Sequence, residues 1–159
     1  IEHEEKKENL INTFNALLEM GVIPIVNEND SVSYTEIESN ERLFGDNDML
    51  SAIVAVLCRA KKLVIFSDIE GLYNVDPRLH PNAKLIERIT HIDDSVYALA
   101  GGAGSRRGTG GMRTKLQAAG LATAQGTDTI ITNGKNPLAL YDIIMGKSVG
   151  TLISGKCAQ

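Results

Sequence analysis

Several residue types are scarce in this chain of 159 residues, and each scarcity argues against a class of function. Trp is absent and only 3 Phe and 4 Tyr are present, so the chain has no aromatic platform on which nucleic-acid bases could stack. The net charge of −4 also argues against nucleic acid as a partner. No apolar run approaches the ~20 residues that span a bilayer, and no signal peptide opens the sequence. We therefore expect a cytoplasmic protein without a membrane partner.

Cysteine and histidine are also rare. The two cysteines, Cys58 and Cys157, have neither the number of a disulfide framework nor the spacing of metal ligands. The three histidines (His3, His80 and His91) occur singly in polar segments, without a partner at catalytic spacing. We expect them on the surface, and we expect no metal site built from protein ligands alone.

The apolar patterns predict a single α/β domain over residues 1–159 with a mainly parallel sheet, because predicted helices and strands alternate along the chain. The segment 61–67, "KKLVIFS", is continuously apolar, which is typical of a central strand covered on both faces. A β-hairpin over 31–38 and 41–45 is a further prediction. The predicted helices are 4–20, 48–60, 93–100, 112–125 and one opened by Asn136-Pro137, and the predicted strands are 22–26, 61–67, 128–132 and 149–153.

Polar residues follow three of these strands: "NEND" at 27–30, Ser67-Asp68, and 132–134. In parallel sheets, ligands bind beyond the carboxyl ends of the strands, so chemistry is expected there.

Charge is divided unevenly along the chain. Residues 1–50 contain 12 acids and 3 bases, whereas residues 51–159 contain 8 acids and 13 bases. The basic part includes four cations within ten residues, Arg106, Arg107, Arg113 and Lys115.

The segment 108–115, "GTGGMRTK", has the composition of a phosphate site in an unfamiliar order. No Gly-Lys pair in the chain completes the G-x-x-x-x-G-K-[ST] loop with a following helix, and no glycine set completes G-x-G-x-x-G. Glycines before a helix can present N–H groups to an anion, and the positive end of the helix adds to the attraction. Lys115, expected in the first helical turn, would then reach a transferring phosphoryl group. The alternative is a flexible loop followed by a surface lysine.

Two acidic segments have both functional and structural interpretations. In "FGDND" (44–48), Asp46 or Asn47 can cap the following helix, but two carboxylates and an amide exceed what a cap needs. In "NEND", the carboxylates and amides suit recognition of an ammonium group, although a solvated turn would also explain them.

Together, "IPIVNENDSV", "FGDNDMLSA", "VIFSDIEGLYNVDP", "GTGGMRTKLQAA" and "VGTLI" resemble the glutamate 5-kinases of the amino-acid kinase family, in the family's order, from about residue 8 to 156. The resemblance implies a three-layer α/β sandwich that transfers the γ-phosphoryl group of ATP to the side-chain carboxylate of L-glutamate. That reaction is the first step of proline synthesis, and the resemblance also implies Mg²⁺ and a homo-oligomer.

The resemblance further implies a role for each matching residue. Asp30 and Asn47 would bind glutamate, and Asp48 would orient the catalytic lysines. Lys115 would neutralise charge on the phosphoryl group in flight. The residues that would contact ATP are Ser67, Asp68, Thr109, Gly110, Gly111, Met112, Arg113, Thr114 and Lys115.

One departure from the family is plain. The family's opening strand, with a second catalytic lysine and a Gly-Ser phosphate loop, has no counterpart here, so we expect a piece of the kinase domain that is inactive alone. The alternatives are another amino-acid kinase, specific for acetylglutamate or aspartate, or a nucleotide-binding module without catalysis. We also expect the glycine-rich loop 101–110, with Arg106 and Arg107, to be mobile and to close over nucleotide.

Overall fold

A computed structural model describes residues 2–27, 47–100 and 109–155 of the chain. These residues form an α/β structure, and none of their helices has the length and apolar character needed to cross a bilayer. The helices are α1 (Glu2–Glu19), α2 (Asn47–Leu57), α3 (Asp94–Ala100), α4 (Thr109–Ala124) and α5 (Ala139–Ile144), and the strands are β1 (Lys62–Ser67), β2 (Arg88–Ile89), β3 (Asp128–Asn133) and β4 (Thr151–Ile153).

The four strands form one mixed sheet in the order β1-β3-β4-β2. β1 pairs with β3 in parallel, from Lys62 opposite Asp128 to Ser67 opposite Asn133. β2 and β4 are also parallel, whereas β3 and β4 are antiparallel. The sheet is therefore mainly parallel, as the sequence predicts. The register brings the carboxyl ends of β1 and β3 together, and the loops that follow them meet at one edge.

The core lies between this sheet and the packed helices α2 and α4. Small residues on both helices permit close packing: Ala52 on α2 and Ala118, Ala119 and Ala122 on α4 are fully buried. Leu116 of α4 and Ile131 of β3 are also fully buried and belong to the same cluster. Because α2 and α4 pack along each other, residues near their first turns come together, although they are far apart in the sequence.

Two expectations about strands are wrong for the described residues. The segment 22–26 forms no strand, and the side chains of Ile23 and Ile25 are 86% and 96% exposed. Pro24 cannot donate a ladder hydrogen bond, and no described strand accepts the segment. β1 consequently lies at the edge of the described sheet rather than at its centre, and Phe66 on β1 is exposed. An apolar run favours a strand, but it determines neither whether a partner strand is present nor which neighbours the strand has.

Other predictions differ only at the boundaries. α4 begins at Thr109, so Gly110 and Gly111 lie inside its first turn rather than before it, and Lys115 is in the second turn. α5 begins at Ala139; Asn136 makes a turn just before it, accepting a hydrogen bond from the Leu138 N–H at 3.1 Å. β2 has only two residues and was not predicted. The predicted hairpin (31–38 and 41–45) and the loop 101–108 lie outside the described residues.

The loop after β1 is held against β4 by glycines and a buried threonine. A side chain at Gly71, in this loop, would collide with Thr151 of β4, and one at Gly150, where φ is +65°, would collide with the Ile131 carbonyl oxygen of β3. The Thr151 hydroxyl accepts a hydrogen bond from the Leu72 N–H (2.8 Å) and donates one to the Ile86 carbonyl (2.7 Å). These hydrogen bonds fix the chain after β1 against β4.

Candidate functional site

An ion pair joins α2 and α4 near their N-terminal ends. The Lys115 ammonium donates to Asp48 Oδ2 at 2.9 Å, and the two side chains are only 15% and 14% exposed. Asp48 is in the first turn of α2, and the backbone carbonyl of Asp48 accepts a hydrogen bond from the Ser51 hydroxyl. A lysine held this way has a fixed position, and its other N–H donors can meet an anion.

The same carboxylate oxygen has a second neighbour. Thr114 Oγ1 lies 3.1 Å from Asp48 Oδ2 and 3.0 Å from the carbonyl oxygen of Gly111. The ion pair is thus part of a three-residue cluster of Asp48, Thr114 and Lys115, which we call the helix junction.

A second polar group lies where β1 and β3 end side by side; we call Ser67, Asp68, Glu70 and Asn133 the strand-end cluster. The Asn133 side-chain amide donates to Glu70 Oε1 at 3.2 Å, and the Ser67 hydroxyl donates to Asp68 Oδ1 at 3.2 Å. The Gly134 N–H donates to the Ser67 carbonyl at 2.8 Å. Asn133 therefore connects β3 to the chain that follows β1. Asp68 and Glu70 are exposed, whereas Ser67 and Asn133 are half-buried.

Tyr73 borders the strand-end cluster. Its hydroxyl donates to Glu70 Oε2 at 3.4 Å. Partial burial, followed by the charge and hydrogen bond of Glu70, raises the pKa of Tyr73, so this phenol stays protonated at neutral pH. Tyr73 is a hydrogen-bond donor here and has no role as a base.

A cleft of about 530 Å³ lies between the segment 24–27, α2 and the start of β1. Its polar lining includes Asn27, Asn47 and Ser51, whereas Leu50 and Val54 are among its apolar residues. Cys58 also lines the cleft, and burial raises the pKa of its thiol, so it stays protonated. The amide of Asn47 thus lies beside a space large enough for a small polar molecule.

The other predicted site residues divide into three groups. The backbone of Thr109, Gly110 and Gly111 forms the first turn of α4, and a side chain at Gly111 would meet none of the described residues within 4 Å. The side chains of Met112 and Arg113 have other contacts: Met112 packs against the core, and the Arg113 guanidinium lies 5.4 Å from the centre of the Tyr97 ring. Asp30 lies outside the described residues.

The donor set fits a nucleotide phosphate better than a metal cage. No group of three or more His, Cys, Asp or Glu side chains in residues 2–27, 47–100 and 109–155 could hold a metal ion. Mg²⁺ in phosphoryl-transfer sites is held largely by phosphate oxygens and by one or two carboxylates, so the absence of such a group is compatible with it. A helix N-terminus next to a lysine held by an ion pair suits a phosphate chain.

Sequence reasoning missed two contacts of the site. Glu70 is in the segment "SDIEG" but was not assigned a role, and Asn133 was noted only as a polar residue at a strand end. A prediction that β1 pairs with β3 in parallel would have placed Glu70, which follows β1, near Asn133 at the end of β3. The contact of Thr114 with Asp48 was also missed, because nothing in the sequence says how α2 and α4 pack.

Comparison with known proteins gives a consistent family relationship. The model of the amino acid kinase family matches residues 2–133. Proteins named glutamate 5-kinase are 51% identical in Clostridium perfringens over 98% of this chain, 49% in Listeria innocua over 94%, and 45% in Ligilactobacillus salivarius over 97%. The chain spans 58%, 54% and 57% of the lengths of these relatives, respectively.

Solved structures show the same fold at lower sequence identity. The uridylate kinase of Archaeoglobus fulgidus aligns with a TM-score of 0.54 and 20% identity, covering 69% of this chain and 47% of that one. The UMP kinase of Ureaplasma parvum aligns with a TM-score of 0.51 and 23% identity, covering 70% and 43%. At such identities the likeness concerns the fold alone.

Proposed function

Because the chain belongs to the amino acid kinase family, we propose that it is part of an ATP-dependent glutamate 5-kinase. In this proposal, a side-chain carboxylate oxygen of L-glutamate attacks the γ-phosphorus of ATP, the bond to the β–γ bridging oxygen breaks, and ADP leaves. The product is glutamyl 5-phosphate, the first intermediate of proline biosynthesis. The names of relatives that are about half identical support the choice of substrate.

The observation that carries the proposal is the ion pair between Lys115 and Asp48. Phosphoryl transfer depends on positioning and on electrostatic stabilisation of the moving group, and a fixed cation supplies both. The acceptor carboxylate is already ionised at neutral pH, so no general base is required. In agreement, the described histidines His80 and His91 are exposed.

The remaining roles extend the proposal to the whole site. The first two turns of α4, from Thr109 to Lys115, and the residues Ser67 and Asp68 would hold ATP, with Mg²⁺ on its phosphate oxygens. Asn47, which lines the cleft, and Asp30 would bind glutamate. Residues 1–159 would belong to one domain of a cytoplasmic homo-oligomer.

A matched pair of lysine substitutions tests the proposal. In the full-length protein that contains these residues, we expect Lys115→Met to lower glutamate-dependent ADP release by about 10²- to 10³-fold, the size seen when one transition-state donor is removed. The control is Lys147→Met, which breaks the exposed Lys147–Asp142 pair (2.7 Å) and should leave the turnover number unchanged. Circular dichroism checks that both variants are folded.

The same assay separates the alternatives. Turnover with acetylglutamate or aspartate but not glutamate would assign the protein to another amino-acid kinase. ATP binding without turnover of any of these acids would favour a module without catalysis. Residues 1–159 alone should not phosphorylate glutamate, and turnover by the purified segment would contradict that part of the proposal.

A further inference from the structure

Thr114 belongs to the segment that the family resemblance assigns to ATP, but its hydroxyl is directed elsewhere. We propose that Thr114 is a positioning residue, whose hydroxyl holds the Asp48 carboxylate in the orientation that fixes the Lys115 ammonium. This inference rests on the proposed phosphoryl transfer, because the position of Lys115 matters most to a phosphoryl group in flight.

The ordinary explanation of a helical threonine is a hydrogen bond back to its own helix. Thr114 Oγ1 is 3.0 Å from the Gly111 carbonyl, three residues earlier, which is the usual partner. A hydroxyl has one proton, however, and Asp48 Oδ2 lies at nearly the same distance, 3.1 Å. If the proton pointed to Gly111, two oxygens without a proton between them would face each other across 3.1 Å.

The carboxylate is the stronger acceptor of the two. A hydrogen bond to an ionised oxygen is shorter and about twice as strong as one to a neutral carbonyl. The Thr114 proton therefore belongs on Asp48 Oδ2, which accepts Lys115 Nζ at 2.9 Å at the same time. Both donors therefore meet the same carboxylate oxygen, and together they restrain the rotation of the carboxylate.

The Thr114 hydroxyl restricts rotations of the Asp48 and Lys115 side chains that the ion pair alone would still allow. A lysine has a long side chain with four rotatable bonds, and an aspartate can rotate its carboxylate about the last bond. The hydroxyl of Thr114, on the residue just before Lys115, keeps Oδ2 facing α4. The ammonium then has one stable place instead of several.

The test compares two substitutions on α4 in the full-length protein. Thr114→Val removes the hydroxyl and keeps the shape of the side chain. Thr123→Val is the control, because the Thr123 hydroxyl donates to its own helix, to the Ala119 carbonyl at 2.7 Å. We expect Thr114→Val to lower kcat about tenfold with the KM for ATP within about twofold, and Thr114→Ser to restore most of the rate. Thr123→Val should leave kcat unchanged.

Two kinetic results for Thr114→Val would contradict the proposal. A raised KM for ATP with unchanged kcat would mean that the hydroxyl binds nucleotide, and unchanged kinetics would mean that it serves only its own helix. Either result overturns the proposal. If Thr114→Val does not fold, Thr114→Ala carries the best helix-forming residue and makes the same comparison.

A chemical readout keeps this test separate from the proposed activity. Lys115 and Lys147 are labelled with acetic anhydride and the rates are compared by mass spectrometry. We expect the loss of the hydroxyl to speed labelling of Lys115 several-fold, because the ammonium is less firmly held, with Lys147 unchanged; equal labelling of Lys115 contradicts the proposal. A wild-type protein without glutamate-dependent turnover would contradict the proposed function, and the labelling would still decide the role of Thr114.

Discussion

The helix junction and the strand-end cluster are both polar, but they are built differently. The helix junction is an ion pair with a hydroxyl, and its charged side chains are about 85% buried, with contacts of 2.9 and 3.1 Å. The strand-end cluster consists of two exposed and two half-buried residues, with contacts of 3.2 to 3.5 Å. We therefore expect the first to be the more rigid of the two before any ligand arrives, and the second to adjust more easily. In a kinase, that difference would match fixed chemistry on one side and adaptable nucleotide contacts on the other.

The largest expected effect tests the rigidity of the helix junction. Asp48→Ala leaves the Lys115 ammonium largely buried without its carboxylate, so we expect the free energy of unfolding to fall by about 2–3 kcal/mol. The matched control is Asp142→Ala, which breaks an exposed pair with Lys147 and should cost less than about 0.5 kcal/mol. Urea denaturation of the full-length protein measures both. Equal losses would show that burial does not distinguish the two pairs.

The next effect concerns the support beneath the strand-end cluster. Thr151→Val removes both hydrogen bonds of a fully buried hydroxyl and leaves the Leu72 N–H without a partner, so we expect a loss of about 2 kcal/mol. Thr129 is equally buried, but its hydroxyl has no hydrogen-bond partner among the described residues. Thr129→Val should therefore raise the stability by up to about 1 kcal/mol. Urea denaturation compares the two, and a loss in both variants would show that Thr129 is satisfied in solution.

A smaller effect tests the adaptability of the strand-end cluster. Asn133→Ala breaks the link from β3 to Glu70, and we expect ATP affinity to fall about threefold, the size of one exposed hydrogen bond. Asn136→Ala is the control, because Asn136 makes only the turn before α5. Isothermal titration with ATP measures both. A fall of a hundredfold would mean that the strand-end cluster is as fixed as the helix junction.

The smallest expected effect is the pH dependence of stability that comes from Asp93, a carboxylate outside both regions. Asp93 caps α3, accepting hydrogen bonds from the Ser95 hydroxyl (2.6 Å) and the Ser95 and Val96 N–H groups. These bonds, the Ser95 hydroxyl first, lower the pKa of Asp93. Its contribution to stability is therefore full above about pH 4, the usual value, and is lost as the pH falls through the lowered one.

The corresponding measurement compares melting temperatures with and without the charge. We expect Asp93→Asn to melt slightly below the wild type at pH 7 and together with it at the most acidic pH at which both still fold. A difference that grows as the pH falls would contradict the assignment of the charge to this cap.

The sequence predicted individual helices and strands better than it predicted which of them pack or pair with each other. The apolar runs of α2, β1 and β3 and the stop of α1 at Gly21, where φ is +72°, follow from local residue types, and the structure confirms them. The segment 22–26 has the same apolar character but forms no strand, because strand formation also depends on a partner. The start of α4 was placed too late because glycine is a poor helix former, although a first turn tolerates it.

The candidate site was predictable as a set of residues but not as an arrangement. Lys115 and Asp48 belong to segments singled out by their own residue types, and the resemblance to a family added their roles. Their 2.9 Å contact, however, depends on how α2 packs on α4. The bond from Asn133 to Glu70 joins residues 63 positions apart, which no local pattern encodes. Arg113 lies 5.4 Å from the centre of the Tyr97 ring, and its assignment to ATP stays a prediction.

The distance along the chain between the two members of the ion pair has a consequence for biosynthesis. Asp48 and Lys115 are 67 residues apart, and the intervening chain includes β1, β2 and α3. On the ribosome, α2 is made long before the lysine that neutralises its carboxylate has left the exit tunnel. The helix junction therefore assembles late, after a costly loop closure, and nascent chains stopped before α4 should expose Asp48 without Lys115, and the apolar side of α2, to chaperones.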